Sequence, residues 1–502
     1  MEKKRRKRKK FLQFNEWISN MYPEYVRQAQ ERAGGLSLTD LEKENHRAIP
    51  LSKEFTFQVT DKCNLACTYC YQINKSTRRM PFETAKIAVD KLLSGADGFG
   101  DYVNPETSPA IVLDFIGGEP FLEVELIDQI VDYFREEAIR LRHPWAEKFA
   151  ISICTNGVLY KDPRVQKFLQ KNTANLSLSV TVDGIKELHD ACRIFPDGKP
   201  SYDLAHGAAL DWMARGYDMG SKITIAPNNI KFLSKSLKQM VEDGYYDINA
   251  NCVYEDVWKP EHATELYYQC KDFTDFIKDK IDLFDYSFSL LQERCGNPLL
   301  ESDNNNWCGG TGDMLAVDPD GRIFPCIRYM ESSLGTQQKP IVIGDVWRGI
   351  AQKPCEKECL ECMGKITRRS QSTDECFYCP IGQGCGWCSG FNYQTFGTVN
   401  KRATFTCEMH KAQALASCYF NNSFALLNER YKDLAMDLWV PEQWAVPMIG
   451  QEEYDKLVEM CRKLGRYVND QNATMVKIHA DEGQGEISDY VHNQDKIEVL
   501  AR

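Results

Sequence analysis

Thr60-Asp61-Lys62-Cys63-Asn64-Leu65-Ala66-Cys67-Thr68-Tyr69-Cys70-Tyr71-Gln72 is the stretch that decides the fold. Cys63, Cys67 and Cys70 stand at spacing C-x3-C-x2-C, just after Phe55, Phe57 and Val59. The alternation of those apolar residues predicts a short strand. Three thiolates on one loop suit three corners of a cubane iron–sulfur cluster. A structural [4Fe–4S] site uses four Cys, so a triad leaves one iron open to an outside ligand. An open iron points to chemistry. Zinc is the rival reading, although structural zinc loops pair C-x2-4-C with a second ligand pair.

From residue 54 onward, strand and helix patterns alternate. Strands are predicted at 54–60, 110–116, 149–154, 176–183, 222–226 and 248–254. Helical patterns fall near 81–94, 123–142, 162–171, 203–215 and 230–243. Six βα repeats imply a parallel sheet with outer helices, short of the eight units of a closed barrel. Such sheets place active sites at the C-terminal ends of their strands. Ile116-Gly117-Gly118-Glu119-Pro120 follows the second predicted strand. Its glycines allow close backbone approach to a ligand, and Glu119 offers a carboxylate to an ammonium group. Cys154-Thr155-Asn156-Gly157 closes the third strand, and Thr181-Val182-Asp183-Gly184 the fourth. Asp-Gly is also an ordinary turn signal, and Arg193 also reads as a surface ion-pair partner. Cys154 and Cys192 read as isolated, buried apolar thiols.

These motifs resemble those of the radical S-adenosylmethionine (radical SAM) superfamily. Its cluster loop is C-x3-C-x-aromatic-C, and Tyr69 fills the aromatic place. The resemblance implies an α/β fold, a partial (β/α)6 TIM-like barrel. It implies a [4Fe–4S] cluster on Cys63, Cys67 and Cys70 whose open iron is chelated by SAM. Reductive cleavage of SAM would then yield a 5′-deoxyadenosyl radical. Gly117, Gly118, Glu119 and Pro120 match the GGEP motif that binds the SAM amino group. Asn156 and Thr181 match segments that line the SAM site. Asp183 is implied as a ribose ligand and Arg193 as a partner of the SAM carboxylate.

A second cysteine system lies C-terminal to the repeats. Cys308 is followed by twelve residues, Gly321, four residues and Cys326; then come Cys376-x2-Cys379-x5-Cys385-x2-Cys388 and Cys407. This resembles the SPASM extension of radical SAM enzymes, with x2 where x3 is usual before Cys388. The resemblance implies two auxiliary [4Fe–4S] clusters. Cys376, Cys379, Cys385 and Cys407 would hold the outer one, and Cys308, Cys326 and Cys388 the inner one. Zinc on the Cys376–Cys388 group is the alternative. Seven ligands leave an eighth position, for Cys295, for a member of the extra triad Cys355-x3-Cys359-x2-Cys362, or for nothing.

The implied domains are a basic tail and helical segment over 1–53, a radical SAM core over 54–290, a SPASM region over 291–410, and C-terminal helices with a polar tail over 411–502. Helices are expected over 409–432 and 451–468. The N-terminal segment carries Trp17, Ile18, Met21, Tyr22 and Tyr25 at helical spacing, behind eight consecutive basic residues, Lys3 to Lys10. The run reads as a solvated tail. The segment is too short for a complete leader-binding winged helix.

With 502 residues, 43% of them hydrophobic, the chain can bury a large core. A net charge of −11 argues against a general nucleic-acid binder. No signal peptide and no 18-residue apolar run is visible, so no membrane span is expected. Twenty Cys in such a chain point to metal ligation rather than disulfides, in a cytoplasmic setting. The runs Cys379-Pro-Ile-Gly-Gln-Gly-Cys-Gly-Trp-Cys and Arg402-Ala-Thr-Phe-Thr-Cys resemble maturases whose peptides carry repeated Cys-x-x-x units. That implies a thioether between a Cys sulfur and a carbon of another residue, as in ranthipeptides. The implied partners are a Cys-containing precursor peptide and an electron donor of flavodoxin or ferredoxin type. A carbon–carbon or cyclophane maturase, a sulfatase-type formylglycine maturase and a non-catalytic electron carrier are the alternatives. A carrier, however, needs neither an open iron nor a GGEP turn.

Overall fold

The computed structural model describes residues 52–217, 219–291, 295–299, 308–311, 314–334, 338–469, 475–478 and 497–500. The basic run, the N-terminal helical segment up to residue 51 and most of the polar tail from His479 lie outside these residues.

Six strands follow the predicted order: β1 (Ser52–Thr60), β2 (Ala110–Gly117), β3 (Phe149–Thr155), β4 (Leu176–Val180), β5 (Gly220–Ile225) and β6 (Asp247–Cys252). The ladders β1–β2, β2–β3, β3–β4 and β5–β6 are all parallel. Between β4 and β5 there is no ladder among the described strands. Instead the Val180 amide donates to the Met219 sulfur at 3.2 Å. The parallel strands therefore fall in two sheets, β1–β4 in one and β5–β6 in the other. A short β7 (Ser287–Phe288) adds in parallel to β6.

The alternation in β1 has a physical cause. Phe55, Phe57 and Val59 are fully buried under the helix layer, against partners such as Val89 and Ile127. The intervening Glu54, Thr56 and Gln58 point to the other face, the barrel lumen. In β3 and β4 the same alternation buries Ile151, Ile153, Leu176 and Leu178 and leaves Cys154 and Ser179 facing the lumen.

The helix layer comprises α1 (Phe82–Ser94), α2 (Val124–Arg140), α3 (Pro163–Asn172), α4 (Lys186–Cys192), α5 (Tyr202–Ala214), α6 (Leu233–Asp243) and α7 (Pro260–Ile277). Helices α4 and α7 were not among the predicted patterns. Helix α7 completes the sixth βα unit by burying Leu266, Tyr267, Cys270, Phe273 and Ile277.

The cysteine-rich region continues the barrel sheet. β8 (Leu315–Val317) pairs in parallel with β1, on the side opposite β2. The antiparallel β9 (Arg322–Phe324), β10 (Gly344–Asp345) and β11 (Gly349–Ile350) extend outward from it. Sheet order across this edge is β11-β10-β9-β8-β1-β2-β3-β4. Beyond it come α8 (Pro354–Gly364) and α9 (Ser389–Phe396), then α10 (Cys407–Leu427), which packs on α7. Helix α11 (Gln451–Lys463) falls in the second C-terminal helical pattern.

Candidate active site

The cluster loop leaves β1 through a buried latch. The Asp61 carboxylate accepts from Gln58 Nε2 (2.5 Å), Ser76 Oγ (2.6 Å) and Arg78 Nε (2.7 Å). Further on, the Ala66 amide donates to Ile194 O and the Thr68 amide to Cys192 O, at 2.7 and 2.9 Å. The loop is therefore pinned at both ends, with Leu65 buried between. Cys63, Cys67 and Cys70 are mutual neighbours. Burial pushes the Cys67 thiol up to about 11, while the Arg193 cation opposes it. Burial raises the Cys63 thiol as well.

The two glycines of the GGEP turn serve the protein's own backbone. The Gly118 amide donates to Thr60 O and the Glu119 amide to Lys62 O, at 3.0 and 2.9 Å. A Cβ on Gly117 would lie 2.7 Å from Thr60 O, and one on Gly118 2.4 Å from Lys62 O. Any larger residue would push the turn off the root of the cluster loop. Pro120 then opens a one-turn helix, and Glu119 caps it by accepting from the Phe121 amide at 3.0 Å. The same buried carboxylate accepts from Thr155 Oγ1 (2.6 Å) and the Asn156 amide (2.9 Å). Burial raises the Glu119 pKa, and these bonds pull it back down. Three donors leave a carboxylate with acceptor capacity for one more. Asn156 also donates from Nδ2 to Asn64 Oδ1 at 2.7 Å, joining the β3 end to the cluster loop.

Thr181 lines a cavity, with Oγ1 3.4 Å from Cys154 Sγ. Cys154 is exposed to this cavity, which corrects its reading as a buried apolar thiol; Cys192 is buried as expected. Asp183 is fully buried and accepts from Tyr69 Oη and from Arg193 Nε, the latter at 2.8 Å. The Arg193 guanidinium lies over the Tyr69 ring, 5.4 Å from its centroid. The two residues read from sequence as cofactor contacts are thus ion-paired with each other.

In the second system the thiols fall into two sets of neighbours. Cys308, Cys326 and Cys388 are neighbours around Tyr329. Cys376, Cys379, Cys385 and Cys407 form the other group. Cys388 caps α9, its sulfur accepting from the Phe391 amide at 3.4 Å. Two buried arginines, Arg368 and Arg402, face the larger group. Arg368 Nε and Arg402 Nη1 have no hydrogen-bond partner among the described residues. Two buried cations with orphaned N–H groups beside four thiols fit an anionic cluster. Among the described residues, no group of His, Cys, Asp or Glu side chains is arranged to hold one metal ion.

The cavity measures about 790 Å³ and is lined by both the barrel and the cysteine-rich region. Cys154, Thr181 and Lys222 line it from the barrel, and Gly384, Gly386 and His410 from the cysteine-rich side. Lys222, at a lumen position of β5, was missed in the sequence reading; its alternation with Ile223 was the available signal. Tyr71 was missed too. It adjoins Cys70, Cys326 and Cys154, with Arg328 5.2 Å from its ring centroid, and so bridges both thiol systems.

No family model matches the chain. A cysteine-type anaerobic sulfatase-maturating enzyme of Clostridium perfringens is 26% identical over 290 residues, 53% of this chain and 72% of that enzyme. The antilisterial bacteriocin subtilosin biosynthesis protein AlbA of Bacillus subtilis is 20% identical over 363 residues, 70% of this chain and 71% of that protein. Among solved structures, native anSMEcpe with bound AdoMet and Cp18Cys peptide superimposes with a TM-score of 0.53 at 19% identity, covering 77% of this chain and 98% of that one.

Proposed function

We propose that this chain, a radical SAM enzyme with a SPASM-type cysteine-rich extension, joins a cysteine sulfur to a carbon of another residue in a ribosomally made peptide. It is a SAM-cleaving peptide or protein maturase that uses [4Fe–4S] clusters. Cys63, Cys67 and Cys70 would hold the cluster that takes SAM, and the Gly117–Pro120 turn, Asn156 and Thr181 would contribute to the SAM site. Asp183 and Arg193 hold Tyr69 and the cluster loop in place. When bound, cluster and SAM supply the one-electron cleavage that removes a hydrogen atom from an unactivated carbon. The 790 Å³ cavity takes the peptide between the barrel lumen and the second thiol system.

The observation that carries the thioether reading is the trio Cys308, Cys326 and Cys388, gathered around Tyr329. Three thiols meet there among the described residues, one fewer than a cubane normally takes. Thiolate is the normal ligand of such a corner, so a substrate cysteine matches it. An external donor of flavodoxin or ferredoxin type supplies the electron for SAM cleavage. Of the two hydrogens the peptide loses, one goes to the adenosyl radical and the other leaves as the thiol proton, its electron being one that an auxiliary cluster would accept. No helix among the described residues is long and apolar enough to cross a membrane.

The test is co-expression with a precursor rich in Cys-x-x-x units. Each thioether removes two hydrogens from the peptide and leaves its sulfur in place. Similarity to the cysteine-type sulfatase-maturating enzyme favours a second reading, oxidation of Cys to formylglycine. That product loses its sulfur, so one mass spectrum separates the two. A second control tests the enzyme class. Replacing Cys63, Cys67 and Cys70 together with Ala removes about four irons and abolishes SAM cleavage. Continued cleavage of SAM by that variant would overturn the assignment.

A further inference from the structure

Cys355, Cys359 and Cys362 belong to neither thiol group. All three lie on α8, at positions i, i+4 and i+7. That spacing puts them on one face of a helix. Their row flanks the buried row Glu356, Leu360 and Met363, which follows the same spacing one residue later. The thiols therefore run along the boundary between core and solvent. Cys355 and Cys362 are exposed and Cys359 is half-buried.

The three form a set of their own. Burial and then the neighbouring thiols Cys362 and Cys355 raise the Cys359 thiol. The thiol neighbours of Cys326 are instead Cys388 and Cys308. Even so, α8 packs on the turn Gly309–Thr311 that follows Cys308. Cys359 and Cys326 also pack on one small core of Ala316, Phe324, Tyr329, Met330 and Met363. The row sits beside the inner trio without joining it.

We propose that Cys355, Cys359 and Cys362 bind a fourth iron–sulfur cluster, a [4Fe–4S] cubane held by three thiolates. Soft thiolate sets select iron–sulfur clusters, zinc or cuprous copper. Positions i, i+4 and i+7 spread the three along roughly 10 Å of helix axis, wider than the thiolate shell of a single ion. Thiols spread along a helix face reach separate irons of a cubane. Their spacing, C-x3-C-x2-C, matches that of Cys63, Cys67 and Cys70 in sequence, although that set lies on a loop and this one on a helix. The exposure of the outer two turns the fourth corner toward solvent.

The experiment uses the full chain, reconstituted without oxygen with ferrous iron and sulfide. The variant C355A/C359A/C362A is compared with wild type for iron, acid-labile sulfide, zinc and SAM cleavage. Iron and sulfide are expected to fall together by about a quarter, about four of each per chain, with SAM cleavage retained. The variant C355S/C362S, which changes only exposed positions, guards against misfolding and is expected to lose the same iron. Wild-type iron in both variants overturns the proposal. So does stoichiometric zinc that is present in wild type and lost in the variants.

Discussion

Arg193 Nε lies 2.8 Å from Asp183 Oδ2, and this pair fastens the cluster loop to the residues that follow β4. Asp183 is fully buried and the Arg193 side chain is 13% exposed. Arg193 also places Nη1 3.9 Å from Cys67 Sγ. Removing one member of a buried pair strands the other charge, at a cost of about 3–5 kcal/mol. Asp183→Asn and Arg193→Met are each expected to lower the anaerobic urea midpoint and to weaken retention of the iron on the cluster loop. The double variant is expected to lose less than the sum of the two. Strict additivity would show that the pair does not act as a unit.

Glu119 is both a clasp and a candidate SAM contact. Its carboxylate holds the Phe121 amide, Thr155 Oγ1 and the Asn156 amide. Glu119→Ala is expected to weaken SAM binding by roughly 10- to 150-fold, the value of a charge-assisted bond of about 1.5–3 kcal/mol. It also leaves three buried donors without an acceptor, so the thermal midpoint falls with it. Calorimetric titration with SAM separates the effects. A lower midpoint with unchanged SAM affinity would leave Glu119 a clasp alone.

Stability also carries a pH signature from the barrel lumen. Burial, and then the charge of Asp114, raise Glu54 from 4.5 to about 7. The folded state binds this proton more tightly than the unfolded state. The stabilisation is therefore complete below about pH 4.5 and is lost as the pH rises through about 7. Glu54→Gln cannot ionise and escapes that loss. Its advantage over wild type is expected to grow between pH 5 and pH 8, by on the order of 2 kcal/mol. Thermal midpoints of both proteins at the two pH values check this. A constant difference would mean that Glu54 ionises freely.

The barrel was legible because each strand has one face in the helix core. The Phe55–Phe57–Val59 alternation placed β1 within two residues of its observed start. The fourth strand was drawn too long because the ladder ends at Val180, with only the Thr181 amide still donating to Thr155 O beyond it. There the Asp183 amide donates to His189 Nδ1 at 3.3 Å. Helix α7 escaped because Tyr267, Cys270 and Thr274, all buried, carry polar or weakly apolar signals. A three-residue strand such as β8 has no period to read, so its pairing with β1 was invisible. The thiol groups were implied by the resemblance of their spacing to the SPASM pattern, not by the spacing alone. The Asp183–Arg193 pair was not legible, since pairing of two charges ten residues apart depends on where α4 turns the chain. Nor was the role of Gly117 and Gly118, which depends on how near Thr60 and Lys62 come.

The open corner of the inner trio depends on where Cys295 points. Cys295 is buried, and burial pushes its thiol up to about 12, with Ser417 opposing and the Cys385 charge adding to the rise. A Cβ on Gly384 would lie 3.3 Å from its sulfur. Cys295 therefore sits beside the outer group, which already has Cys376, Cys379, Cys385 and Cys407. We therefore expect that it does not serve as the eighth ligand. Cys295→Ala is expected to keep the full iron count and to cost roughly 1 kcal/mol of packing. A free cysteine peptide added to the reduced protein is then expected to perturb the cluster spectrum equally in wild type and variant, because both present the same corner. Loss of about four irons from Cys295→Ala would instead make Cys295 a ligand, close that corner, and remove the argument for a substrate thiolate there.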